Sequence, residues 1–231
     1  MRVFGDRLIN ETDRNLVNSG IIDGLIKQHF KDSEEEALKS PVLFGDYALA
    51  DPTDDEAEDP RLYEDLGGWE EVSAKFERML EDYGFTNKPM NLVLFNDALD
   101  HLTKIHRIIR FPRGSGLLVG YGGSGKQSLT KLATFTAGYQ NWTINLVRNY
   151  KEADFRVDLQ NLYREVVLKP RTFMFTDAHV VEEGFLELVN NILTIGMVPG
   201  LFPEEEKEGL ISPLDKEMRA KKLPETKEFR W

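Results

Sequence analysis

Apolar positions in this 231-residue chain recur mostly at helical spacing, with short apolar runs set between the helical patterns. In residues 1–39, Val3, Phe4, Leu8 and Ile9 share one face, followed by Leu16 and Val17, then Ile21, Ile22, Leu25 and Ile26. Thr12, Asp13 and Asn18-Ser19-Gly20 read as caps and turns between these short helices. A longer helical pattern runs from Trp69 to Tyr83, where Gly84 fits a C-terminal stop. Leu92-Val93-Leu94-Phe95 leads into another, through Leu99, Leu102, Ile105 and Ile109, ending before Pro112. Ala153 to Leu168 is helical, with Phe155, Leu159, Leu162 and Val166 on one side and Pro170 beyond its end; Val181 to Ile195 is the last clear helix.

The short runs read as strands. Gly116-Leu117-Leu118-Val119 is apolar and bounded by glycines, as a fully buried parallel strand is. Trp142 to Val147 alternates, and Thr172 to Thr176 is a further buried strand. Between the first two, Ser128 to Phe135 places Leu129, Leu132 and Ala133 at helical spacing before Gly138 closes the helix. Strand and helix alternate three times, which predicts an α/β domain of three layers with a mainly parallel sheet. In such sheets a ligand sits beyond the C-terminal ends of the strands.

Composition narrows the classes. Apolar residues are 41% and charged residues 30%, enough for a sizeable core. A net charge of −11 argues against nucleic acid as a partner, because phosphate backbones demand clustered Lys and Arg. There are no cysteines, which excludes disulfides and thiolate metal sites and fits a reducing compartment. No apolar run approaches the roughly 18 residues of a membrane helix, and Met1 is followed by polar sequence, so neither a membrane partner nor a signal peptide is expected. Residues 40–68 stand apart: Ser40-Pro41 opens a loop, and Asp51 to Asp65 holds eight carboxylates and two prolines. That composition predicts a solvated acidic linker; it lacks the glycine and spacing of a calcium-binding loop.

The chemistry is concentrated where the first strand meets its helix. Gly120-Tyr121-Gly122-Gly123-Ser124-Gly125-Lys126-Gln127-Ser128 follows the phosphate-loop pattern, Gly, four spacers, Gly-Lys, except that Gln127 replaces the usual Ser or Thr. Glycines let the backbone curl so that its N–H groups point at phosphates, Lys126 reaches the same anion, and the helix offers its positive N-terminus. The hydroxyl lost at Gln127 normally binds Mg²⁺, and Ser128 is turned about 100° around the helix. Phe173-Met174-Phe175-Thr176-Asp177 is an apolar strand ending in a carboxylate suited to Mg²⁺. Ala178 follows, and a methyl group cannot accept a proton from an attacking water. Glu182 and Glu183 suit a helix dipole better than catalysis. His179 reads as a polar packing residue, and His101 and His106, five apart, do not form a metal pair. Aromatic residues at 135, 139, 142 and 150 read as core and loop anchors.

Together the run Leu92 to Leu102, the loop from Leu118 to Thr130, the strand Phe173 to Asp177, and Glu182-Glu183-Gly184-Phe185 with Asn190-Asn191-Ile192-Leu193 and Val198-Pro199-Gly200-Leu201-Phe202 resemble the fourth AAA+ module of dynein heavy chains. Gln127 and Ala178 look like the axonemal branch. The resemblance implies a P-loop NTPase (AAA+) large subdomain at 69–231, C-terminally truncated, after an acidic linker at 40–68 and an N-terminal helical segment at 1–39 that closes the preceding module's small subdomain. It implies a fragment of a motor with a tail, a linker, six modules in a ring and a microtubule-binding stalk.

By the same resemblance Gly120, Gly122, Gly123, Ser124, Gly125 and Lys126 cradle the phosphates of ATP or ADP, with Gln127 and Ser128 beginning the helix. Asp177 acts on Mg²⁺, and Val93 and Leu94 line the adenine pocket. Implied partners are the neighbouring AAA+ modules and, through the parent motor, intermediate chains, light chains and microtubules; the implied location is the cytoplasm and the cytoskeleton of a ciliary or flagellar axoneme. A regulatory site that binds nucleotide with little turnover is the expected function. The alternatives are a stand-alone P-loop ATPase or kinase and a structural ring segment with a vestigial loop. If the missing hydroxyl weakens Mg²⁺ binding, Gln127→Thr increases the Mg²⁺ dependence of ATP affinity measured by calorimetry; an unchanged dependence shows that Asp177 or water already supplies the metal ligands.

Overall fold

A computed structural model describes residues 8–52, 61–212 and 219. The N-terminal helices begin with α1 (Glu11–Asn15), which Asn10 caps by accepting the Asp13 N–H at 2.7 Å. The chain continues without a turn through a π-helical stretch (Leu16–Ile22) into α2 (Asp23–His29). Asn18-Ser19-Gly20 therefore lies inside a helical run and is not the expected turn. A short α3 (Glu34–Ala37) follows. Val3 and Phe4 lie outside the described residues.

Next come β1 (Phe44–Gly45) and β2 (Glu64–Asp65), paired antiparallel. The stretch expected to be a solvated linker carries core residues at both ends. Leu43, Tyr47, Ala50 and Leu66 are buried, because a few apolar side chains at the right spacing suffice to fold an otherwise charged segment onto a core. Most of its carboxylates lie outside the described residues.

Three helices complete this first core. α4 (Trp69–Thr86) buries Val72, Phe76 and Met79, one residue per turn along one face. Its start is secured by the Glu71 carboxylate, which accepts the Gly68 N–H at 2.9 Å. The helix runs past Gly84 and ends at Thr86, so the expected stop comes one turn too early. α5 (Asn96–Arg110) buries Leu99, Leu102, Ile105 and His106 against α6 (Lys126–Thr136), which contributes Leu129, Leu132 and Ala133. α6 closes as expected at Gly138, which adopts φ +73°. Its N–H bonds the Phe135 carbonyl and that of Tyr139 bonds Thr134, the paired closure of a Schellman motif.

β3 (Gln140–Trp142), α7 (Glu152–Val166), β4 (Arg171–Phe173), α8 (Gly184–Ile195) and α9 (Glu204–Ile211) surround a second core. Phe155, Leu159 and Leu162 of α7 meet Phe185 and Leu188 of α8, closed by Val198, Leu201 and Phe202. β3 and β4 run parallel, with Asn141 opposite Thr172 and Trp142 opposite Phe173. The Met174 N–H to Trp142 carbonyl bond, 2.8 Å, carries the pairing one step further.

The expected buried strand at 116–119 does not form. Leu117 is 91% and Val119 87% exposed, while Leu118 between them packs on the first core. Among the described residues no backbone hydrogen bond joins residues 115–120 to another strand. An apolar run specifies a face, but a strand exists only when a neighbour accepts its backbone groups. Replacing Leu102, fully buried between α5 and its neighbours, by Ala should cost about 2–5 kcal/mol in urea unfolding, as deleting a core Leu does; a loss under about 1 kcal/mol would contradict this packing.

Candidate nucleotide site

The glycine loop is built as its sequence requires. Gly123 and Gly125 have φ +78° and +79°, a left-handed backbone that residues with a Cβ resist. A Cβ at Gly122 or Gly123 would meet nothing within 4 Å, so the concave loop is open to solvent. Gly125 is the N-cap of α6 and supplies no side chain, so the first-turn N–H groups have no side-chain cap; no acidic residue occupies that turn. Free N–H donors, a helix dipole and an ammonium converge here, a set that fits an anionic phosphate.

Lys126 folds back over the loop. Its Nζ donates to the carbonyls of Gly120 at 2.6 Å and Tyr121 at 2.7 Å and lies 3.3 Å from the Ser124 Oγ. A phosphate must draw the ammonium away from these oxygens or share it with them. Gln127 is exposed on the first turn, and Ser128 is half-buried. Val93 is largely exposed, whereas Leu94 packs on the first core. Leu92 was not picked out from the sequence, yet its Cδ1 lies 3.8 Å from where a Gly125 Cβ would stand. Its place at the head of the apolar run Leu92-Val93-Leu94-Phe95 is the signal that could have found it.

Asp177 is exposed just after β4, in a 3₁₀ turn spanning Asp177–His179. His179 is folded inward at that turn. Its Nδ1 accepts the Thr176 N–H at 3.0 Å, while its own N–H bonds the Thr176 carbonyl at 2.9 Å. Burial lowers its pKa from the usual histidine value, against an opposing pull from Asp177. Glu182 accepts the Glu152 N–H at 3.0 Å, so it caps the start of α7 and its negative charge sits at that helix's positive end. Among the described residues no cluster of three or more His, Asp or Glu side chains could hold a metal, and none links the loop to Asp177 by a hydrogen bond or ion pair. A metal here would need phosphate oxygens besides the Asp177 carboxylate, which is how Mg²⁺ is commonly held.

Comparison with known proteins fits this arrangement: residues 90–231 match the family described as P-loop containing dynein motor region D4. The chain belongs to that dynein motor family. Human dynein axonemal heavy chain 10 is 51% identical over 233 residues, covering 100% of this chain. The Chlamydomonas reinhardtii dynein-1-alpha heavy chain of the flagellar inner arm I1 complex is 48% identical over 236 residues, and the dynein beta chain of the flagellar outer arm from the same organism is 36% identical over 234. In each case the chain spans 5% of the relative's length.

The first core also holds a charged cluster. Asp46 Oδ1 bonds His106 Nε2 at 2.5 Å, and Oδ2 bonds Arg110 Nε at 2.7 Å. Burial opposes the Asp46 charge, but these two partners outweigh it and hold its pKa well below the ordinary carboxylate range. His106 is 1% exposed; burial, its largest influence, lowers its pKa despite Asp46, and nearby Arg61 adds to the lowering. Its Nδ1 is buried, so a second proton there would be out of reach of water. Tyr47 stacks edge-on against His106 and shares a 2.9 Å hydrogen bond with Thr103 of α5. Arg61 donates to the Thr136 carbonyl at 2.9 Å, a cation at the C-terminal end of the loop's own helix. His106 is therefore a structural member of this cluster.

Because the folded His106 pKa lies below the unfolded value near 6.5, the unfolded chain takes up the proton first. This contribution to stability is complete above pH 6.5 and is lost as pH falls from there toward the folded pKa. Urea midpoints should therefore drop between pH 7 and pH 5, and drop less in His106→Gln; equal drops would remove His106 as the cause.

Proposed function

We propose that residues 120–128 and Asp177 form an ATP- or ADP-binding site that holds nucleotide and turns it over slowly or not at all, within an axonemal dynein heavy chain. The observation that carries this reading is the pairing of an intact anion cradle, an open glycine loop leading into the uncapped N-terminus of α6, with a strand end where Ala178 follows Asp177. In this reading the loop N–H groups and Lys126 bind the phosphates, Leu92 to Leu94 border the base, and Asp177 assists Mg²⁺ directly or through water. Bound Mg²⁺ would neutralise phosphate charge. Without a carboxylate at 178, no side chain adjacent to Asp177 is placed to take a proton from water.

The surrounding assignments belong to the same proposal. Residues 69–231 make up a three-layer P-loop subdomain of AAA+ type, residues 1–39 end the preceding module, and residues 40–68 join them. Neighbouring modules of the heavy chain are its direct partners; intermediate chains, light chains and microtubules are reached through the parent motor, in the cytoplasm and the axoneme of a cilium or flagellum. The names of the relatives, axonemal and flagellar dyneins, support that setting. The parent is a minus-end-directed motor, and this site regulates it.

A vestigial, purely structural loop is the competing reading, favoured by the engagement of Lys126 with its own loop. Calorimetry decides between them. ATP and ADP should bind the chain, and Lys126→Ala should weaken ATP affinity by at least tenfold while leaving the melting temperature unchanged. Absence of heat with either nucleotide would overturn the proposal.

A further inference from the structure

Backbone bonds and the His179 side chain together hold the turn that carries Asp177. Thr176, Asp177, Ala178 and His179 form a closed turn: the Thr176 carbonyl accepts the His179 backbone N–H, the His179 Nδ1 accepts the Thr176 N–H, and the Thr176 hydroxyl lies 3.3 Å from the same Nδ1. Only Nδ1 without a proton can accept that N–H, so the ring carries its proton on Nε2. Nε2 lies 3.5 Å from the Thr143 hydroxyl, one residue beyond β3, a long contact reaching from the turn to the neighbouring strand's end. The ring also lies against Phe175, with centroids 5.6 Å apart, and is half-buried, while Asp177 and Ala178 are exposed. The Val180 N–H bonds the Asp177 carbonyl at 3.1 Å and completes the turn. These links fix the backbone on both sides of Asp177, and none of them engages its carboxylate.

We propose that His179 is a positioning residue: its Nδ1 bond to Thr176 and its contact with Thr143 aim the Asp177 carboxylate toward metal held by bound nucleotide. This rests on the nucleotide-site reading above and adds to it a residue that touches neither phosphate nor metal. Removing the groups that orient a metal-binding side chain typically costs 10–100-fold in metal affinity. The cost falls on the metal and not on the nucleotide, because the glycine loop and Lys126 make no hydrogen bond to this turn.

The test is calorimetry of ATP binding to the full chain, with and without Mg²⁺, in wild type, His179→Ala and His179→Asn. The amide oxygen of Asn sits where Nδ1 sits and can accept the Thr176 N–H. His179→Ala should lower the Mg²⁺-dependent gain in ATP affinity about tenfold with Mg²⁺-free affinity unchanged, and His179→Asn should restore most of that gain. Equal losses with and without Mg²⁺, a gain within about twofold of wild type in the Ala variant, or no rescue by Asn would each overturn the positioning role. A near-wild-type melting temperature of the Asn variant keeps the comparison valid if the Ala variant does not fold. Wild type that binds no ATP in either condition would overturn the nucleotide site itself, and His179's role with it; the other outcomes leave that site standing.

Discussion

The packing of α5 on α6 is the contact on which the rest of the structure depends. α6 presents Leu129, Leu132 and Ala133 to Leu99, Leu102 and Ile105, and its N-terminus is also the floor of the glycine loop. A phosphate cradle made of backbone N–H groups has no rigidity of its own; it inherits the rigidity of the helix that follows it. That helix is held on one flank by α5 and at its C-terminal end by Arg61, and α5 is in turn clamped by Asp46 through His106 and Arg110. The segment upstream of the family match thus supports, through α5 and the C-terminal end of α6, the helix on which the candidate site stands. Removing either partner would leave the largely buried Asp46 carboxylate short of a hydrogen bond, so the clamp acts as a constraint on where α5 can sit.

A site of this kind divides binding from chemistry. The anion cradle depends on glycine backbone and one lysine, all present. Turnover depends on a hydroxyl for Mg²⁺ and a base for water, and at those places stand Gln127 and Ala178. Around Asp177 the remaining side chains serve geometry: Glu182 caps α7, and His179 closes the turn. Enzymes that hydrolyse nucleotide also gain about 10³–10⁵ in rate from an arginine supplied beside the phosphates, and no such residue is needed to hold a nucleotide in place.

The helices were legible because their apolar residues repeat at 3.6; Phe155, Leu159 and Leu162, or Leu129, Leu132 and Ala133, specify a face without reference to anything distant. What the residues could not disclose was partnership. Leu117 and Val119 look like core in a one-dimensional pattern, yet a strand also needs neighbours on which to spend its N–H and C=O groups. Asp46 and His106 are 60 positions apart, and nothing in a stretch dominated by carboxylates marks Leu43 and Tyr47 as buried. At the candidate site the glycine loop and Asp177 stand out in the sequence by their residue types and spacing. The role of His179 was not, because its cap uses a histidine at the third position, where the familiar signature has Glu or Gln.

The proposed site keeps nucleotide intact. Its most direct test is a single-turnover measurement: ATP labelled on the γ-phosphate is mixed with excess protein and Mg²⁺, and the bound fraction is quenched at intervals up to an hour. The bound label should remain ATP throughout. Conversion to free phosphate within seconds, at the roughly 1–10³ per second of ordinary enzymes, would contradict it.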